Sequence, residues 1–168
     1  MTKWDVVPAE SDHFFNVVLI EPEIAANTGN IGRTCVGLRS KLHLVGQLGY
    51  SITDRKLKRA GLDYWPYLDF VHHSTWDDWW RQVPDPTRVF FLSTKAKRSL
   101  YDVQMQKGDW LVFGRESKGL GPEVLENFPS QLLRIPMEGP IRSLNIATAV
   151  AIVLFEGYRQ TVVKAPAP

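Results

Sequence analysis

The chain has 168 residues, enough for one domain with a real core, and 44% hydrophobic against 23% charged residues marks an ordinary globular protein rather than a disordered one. The formal charge of +2 is too small to argue for nucleic acid by itself, and a single cysteine, Cys35, excludes an intrachain disulfide and a cysteine-based metal site. No apolar signal core opens the chain and no window suits a membrane span, which makes cytoplasmic the default.

Residues 1–15 are polar and patternless and read as a loose leader; 16–160 read as one domain and 161–168 as a tail. Asn16 to Ile20 is short and β-branched, a buried strand. EPEIAANTGN follows as a loop, and a helix is expected from Ile31 to Leu38, opening near Asn30. Strands are expected at Leu42–Val45, Leu68–Val71, Val89–Leu92, Trp110–Phe113 and Leu132–Ile135. Helices are expected at Asp54–Ala60, Trp76–Gln82, Pro122–Asn127 and Leu144–Gln160, the last capped by Ser143 or Asn145 and buried through its apolar first half. This alternation predicts an α/β fold, a mostly parallel sheet covered by helices on both faces.

Three strong strands run into polar loops of the same character: Ser93-Thr94-Lys95, Gly114 to Gly119, and Pro136 to Arg142. Ligands of parallel α/β sheets sit outside the carboxyl ends of the strands, so one pocket built from these three loops is expected. No dinucleotide or P-loop glycine pattern occurs. Asn27, Asn30 and Arg33 surround the expected helix start, Asn27 in the loop and the other two on a shared face. That arrangement suits a phosphate, or else a capping Asn beside a solvated Arg. Glu116 stands at a strand end among basic residues, as a ligand contact or as an exposed, weakly paired carboxylate. His72 and His73 are adjacent on a strand and point to opposite faces, which argues against a joint metal site. Basic residues cluster at Arg55, Lys56, Lys58 and Arg59 and again at Lys95, Lys97 and Arg98; Tyr64, Trp65 and Tyr67 follow the first cluster, where phosphate pairing and base stacking would suit RNA.

NTGNIGRTC, LVFGRESKGLG and IPMEGPIRSLNIATAVAIVLFE occur in this order, each after a strand. Together they resemble the three motifs of the SPOUT superfamily of S-adenosylmethionine-dependent RNA methyltransferases. Within it the chain is similar to the small single-domain members, of TrmL type, that methylate the ribose 2′-hydroxyl of the tRNA wobble nucleotide. The resemblance implies a C-terminal deep trefoil knot, a homodimer, and S-adenosylmethionine as cofactor with S-adenosylhomocysteine as product and no metal. It implies Arg33, Asn27, Glu116, Ser143 and Asn145 at the catalytic centre. Cofactor contacts would come from Leu92, Ser93, Thr94, Gly114, Glu116, Gly119, Ile135, Pro136, Met137, Ser143 and Leu144. The tRNA anticodon stem-loop would meet Arg55, Lys56, Lys58, Arg59, Lys95 and Arg142. Two other readings stand beside this one: methylation of ribosomal RNA by the same chemistry, and an RNA-binding protein of this fold without activity.

Overall fold

A computed structural model describes residues 13–53 and 63–162. The leader up to residue 12, the expected basic helix with Arg55, Lys56, Lys58 and Arg59, and the last six residues lie outside the described residues. Six strands, β1 (Asn16–Ile20), β2 (Lys41–Val45), β3 (Phe70–His73), β4 (Val89–Leu92), β5 (Trp110–Phe113) and β6 (Leu132–Leu133), form one sheet in the order β3-β2-β1-β5-β4-β6. Every pairing is parallel. Both faces are dry. Val17 and Leu19 of β1, and Leu111 and Phe113 of β5, point into one core with Ile31, Val150 and Leu154. Val18, Trp110 and Val112 point into the other with Trp79 and Val124. Burial on both sides is why these strands read as unbroken apolar runs rather than as alternation.

Helices α1 (Ala25–Gly37) and α4 (Ile146–Val162) pack together on the first face, while α2 (Trp76–Trp80) and α3 (Pro122–Asn127) cover the second. The second face is aromatic, with Trp76, Trp79, Trp80, Phe91 and Phe128 in mutual ring contact. No helix of the described residues is long and apolar enough to cross a membrane.

Several boundaries differ from expectation. The first helix starts six residues early, at Ala25, so Asn27 and Asn30 lie inside it and neither is a loop residue or a cap. Local propensity favours a loop for Asn-Thr-Gly-Asn, but Asn27, Thr28 and Gly29 are buried and held by tertiary bonds. The third strand is shifted two residues to Phe70–His73, and the last is cut to two residues, with Arg134 bridging to Ser99 beyond it. The tryptophan helix ends at Trp80, two residues early. Helix α4 begins two residues later than expected, because Asn145 is its cap: Asn145 Oδ1 accepts the Ala147 N–H at 2.9 Å. Nor is its first half wholly buried; Val150, Val153 and Leu154 are, but Thr148 and Phe155 face outward, Phe155 with 57% of its surface exposed. Phe15, read above as leader, is fully buried in the first core.

Strand order fixes where a ligand can sit. From β1 the chain moves outward through β2 to β3; from β5 it moves the other way, past β4 to β6. Neighbouring strands whose connections diverge leave a crevice at their carboxyl ends. Here those strands are β1 and β5, followed by Glu21–Ile24 and Gly114–Gly119; hydrogen bonds between these two segments close the point itself, and the cavity lies beside it, over the ends of β4, β5 and β6.

Candidate active site

Loop 114–119 closes on itself. Arg115 and Gly119 exchange backbone hydrogen bonds in both directions, at 3.1 and 2.8 Å. Gly119 takes φ +67°, and a Cβ at Gly114 would lie 2.1 Å from the Gly119 carbonyl carbon. Only glycine permits that close return of the backbone.

The tip of this loop is bolted to the start of α1 by two crossed carboxylates. Glu116 accepts the backbone N–H of Glu23 at 2.8 Å and of Ile24 at 3.2 Å, together with Asn27 Nδ2 at 3.3 Å. Glu23 in return accepts the Ser117 backbone N–H and the Ser117 hydroxyl, both at 2.8 Å. Those bonds, the backbone one first, hold the Glu23 carboxyl below its ordinary value. Ile24, the residue before α1, has no side chain able to cap, so the carboxylate from the β5 loop satisfies donors that would otherwise be orphaned. The network continues: Asn145 Nδ2 donates to Asn27 Oδ1 at 3.1 Å. One run of hydrogen bonds therefore links the β5 loop and the N-termini of both long helices, α1 and α4.

Beside this network lies a cavity of about 590 Å³, open to solvent at the carboxyl ends of β4, β5 and β6. Apolar walls come from Leu92, Phe113, Leu120, Leu133, Ile135 and Ile146. Polar lining comes from Ser93, Thr94, Glu116, Ser117, Ser143 and Asn145, with Lys95, Lys118 and Arg142 adding positive charge. Of the residues expected around a ligand, Leu92, Ser93, Thr94, Gly114, Glu116, Gly119, Ile135, Met137, Ser143 and Leu144 line this cavity, as do Asn27, Asn145, Lys95 and Arg142; Pro136 does not. The three loops named from sequence thus build one site.

Arg33 is elsewhere. Six residues beyond Asn27 on an α-helix, it is turned about 120° around the axis and cannot share Asn27's direction. Its guanidinium donates to Asp63 at 2.6 and 3.3 Å and lies 4.7 Å from the centroid of the Tyr64 ring. Tyr64 was expected among residues that stack on RNA bases; it is buried, its hydroxyl bonded to the Gly29 carbonyl. Sequence reasoning passed over Glu23, Ser117 and Asp63. Of these only Glu23 carried a signal, lying in EPE between a strand and the asparagine-rich stretch.

Among the described residues, no group of three or more His, Cys, Asp or Glu side chains is placed to hold a metal ion. His72 and His73 do point apart: His73 is buried against His43, and His72 bonds the Gly46 carbonyl.

The model of the SpoU rRNA methylase family matches residues 15–155. The chain belongs to that family. It is 45% identical over 148 residues to a tRNA (cytidine(34)-2′-O)-methyltransferase of Burkholderia pseudomallei, covering 87% of this chain and 95% of that one. A solved structure concerned with the 2-OH methylation of C/U34 on tRNA superposes with a TM-score of 0.84 at 47% identity, covering 88% of this chain and 96% of the other. The AdoMet-bound rRNA methyltransferase of Sinorhizobium meliloti is similar at 26% identity and a TM-score of 0.77; 93% of this chain covers 59% of that longer one. The parallel α/β sheet with helices on both faces is thus the fold of SpoU methyltransferases.

Proposed function

We propose that this protein transfers a methyl group from S-adenosylmethionine to the ribose 2′-hydroxyl of nucleotide 34, the wobble position of the tRNA anticodon loop, acting as a homodimer. The observation that carries the reading is the convergence of the three strand-end loops on one cavity, with Asn27, Glu116 and Asn145 joined at its edge. The cavity fits the cofactor in size and chemistry: apolar walls suit a flat adenine, and strand-end loops supply backbone and hydroxyl groups for the polar ends. A relative that acts on cytidine 34 of tRNA is matched over 95% of its length, whereas the ribosomal RNA enzyme is much longer, and this favours tRNA over ribosomal RNA. The same reading carries a C-terminal trefoil knot, with residues 134–145 returning from β6 to α4 beside α1. The outward-facing Phe155 and Val162 on α4 support pairing with a second copy.

Bound S-adenosylmethionine supplies a methyl group on a sulfonium, which is already a good leaving group. In the transfer the 2′-oxygen forms the new O–C bond as the C–S bond breaks, and the hydroxyl proton passes to the neighbouring RNA phosphate or to water. The protein's task is chiefly alignment. The apolar walls exclude water from the reacting atoms, and Ser143 and the loop of Gly114 to Gly119 orient the polar ends. Asn27, Glu116 and Asn145 fix the two helix starts against which the ribose would be held. Arg33, outside the cavity, serves the RNA side. A guanidinium is effectively never deprotonated in proteins, so Arg33 is no base; it clamps a phosphate and steadies negative charge developing on the oxygen. Lys95 and Arg142 at the rim, with Arg55, Lys56, Lys58 and Arg59, would meet the anticodon stem-loop through phosphates. A single-stranded loop leaves the wobble ribose free to enter the cavity.

The test is incubation with labelled S-adenosylmethionine and bulk tRNA, followed by digestion and location of the label. Label on the 2′-oxygen of nucleotide 34 is expected. Label on a base, in ribosomal RNA only, or outside the anticodon loop refutes the assignment.

A further inference from the structure

The Arg33 fork is already engaged. Nη2 donates to Asp63 Oδ1 at 2.6 Å and Nη1 to Oδ2 at 3.3 Å, a side-by-side pair of bonds to one carboxylate. We propose that Asp63 holds the place of an RNA backbone phosphate on Arg33, and that substrate must displace it. The inference rests on the phosphate-clamping role given to Arg33 above and adds how that clamp is kept until RNA arrives.

Three observations carry it. First, a carboxylate and a phosphate offer the same arrangement to a guanidinium, two anionic oxygens facing two parallel N–H groups, so whichever is bound excludes the other. Second, the pair is exchangeable: the side chains are 55% and 72% exposed, and ion pairs so open to water hold weakly. Third, the seat of the guanidinium does not depend on Asp63. It lies over the Tyr64 ring, which is buried and anchored through its hydroxyl to the Gly29 carbonyl. Gly32 leaves the room for this ring: a Cβ there would stand 2.9 Å from Leu68 Cδ2 and 3.3 Å from Tyr64 Cε2. When Asp63 swings away, Arg33 remains where it was.

The consequence is selectivity. With Asp63 in place the fork presents no net charge, and an isolated anion gains little by replacing one carboxylate with another oxyanion. An RNA that makes several further phosphate contacts offsets the loss of the Asp63 pair and takes the fork.

The test uses the full-length protein, a labelled anticodon stem-loop RNA and fluorescence anisotropy at low salt. Asp63→Asn is expected to lower the RNA Kd about two- to five-fold, the range that an exposed ion pair supports, with the cofactor Kd unchanged. In the Arg33→Ala background, Asp63→Asn should change nothing; a merely through-space effect of removing a negative charge would persist there and would overturn the proposal. It is also overturned if Asp63→Asn leaves RNA affinity unchanged while kcat falls, since Asp63 would then be orienting Arg33 rather than occupying it. If Arg33→Ala itself leaves RNA affinity intact, the phosphate role of Arg33 fails and this inference with it. If Arg33→Ala weakens RNA binding but Asp63→Asn does not tighten it, only the inference falls.

Discussion

Replacing Glu116 by Gln separates holding the site together from taking part in the chemistry. The carboxylate accepts three hydrogen bonds, from Glu23 N–H on one oxygen and from Ile24 N–H and Asn27 Nδ2 on the other. A carboxamide has one acceptor oxygen and one donor nitrogen. If its oxygen faces Ile24 and Asn27, the new NH2 confronts the Glu23 N–H; turned over, it confronts two donors instead of one. The better orientation still loses a charge-assisted hydrogen bond, worth about 1.5–3 kcal/mol. It also removes the negative charge at the start of α1, worth about 0.3–1 kcal/mol. A loss of about 2–4 kcal/mol follows, and a domain of this size should melt about 5–15 °C lower. Thermal denaturation followed by circular dichroism reads the first effect. Calorimetry with S-adenosylmethionine reads the second, a weakened cofactor Kd, because the 114–119 loop that Glu116 ties down is a wall of the cavity. A variant that melts and binds cofactor like the parent yet fails to turn over would refute the reasoning, and would make Glu116 a group acting on the reacting atoms.

Acid should loosen the fold through His43, which is buried between β1 and β3. Its Nε2–H donates to Asn16 Oδ1 at 3.2 Å and its Nδ1 accepts from His73 Nε2 at 3.0 Å, an order that requires the His43 ring to be neutral. Burial first, and the neighbouring His73 second, push its pKa from 6.5 down to about 3. The unfolded chain therefore takes up a proton that the native state refuses: the stability is fully present above about pH 6.5 and lost as pH falls toward 3, about 2 kcal/mol of it by pH 5. Melting curves at pH 7.5 and 5 should differ by several degrees and the slope should flatten in His43→Gln; an unchanged slope would show that another group controls it. At the opposite end of the sheet from the cavity, Asp109 is 1% exposed and takes two bonds from Arg88, at 2.7 and 2.5 Å, and one from the Gln106 N–H. Asp109→Ala should cost about 3–5 kcal/mol in urea denaturation, because it strands a partly buried arginine, while leaving cofactor affinity of the folded protein unchanged; a cost below 1 kcal/mol would contradict the ion-pair account.

The sequence by itself determined the layer architecture and the neighbourhood of the site. Apolar runs such as VVLI and WLVF have no polar residue to turn toward water, so they must be strands covered on both faces. Polar loops directly after such strands must then gather at one edge of the sheet, as the loops after Leu92, Phe113 and Leu133 do. The tertiary structure decided what local pattern could not encode. Asn27 to Asn30 became helix because Glu116, 89 residues away from Asn27, supplies the cap that Ile24 lacks. Arg33 was separated from Asn27 once the helix began at Ala25, since the early start sets their angular relation. Tyr64 became the seat of a guanidinium instead of a stacking surface because Gly32 leaves a hollow on α1 that its ring fills. Each outcome depends on a bond or a contact between residues far apart in the chain, where no periodicity or propensity in a short window carries information.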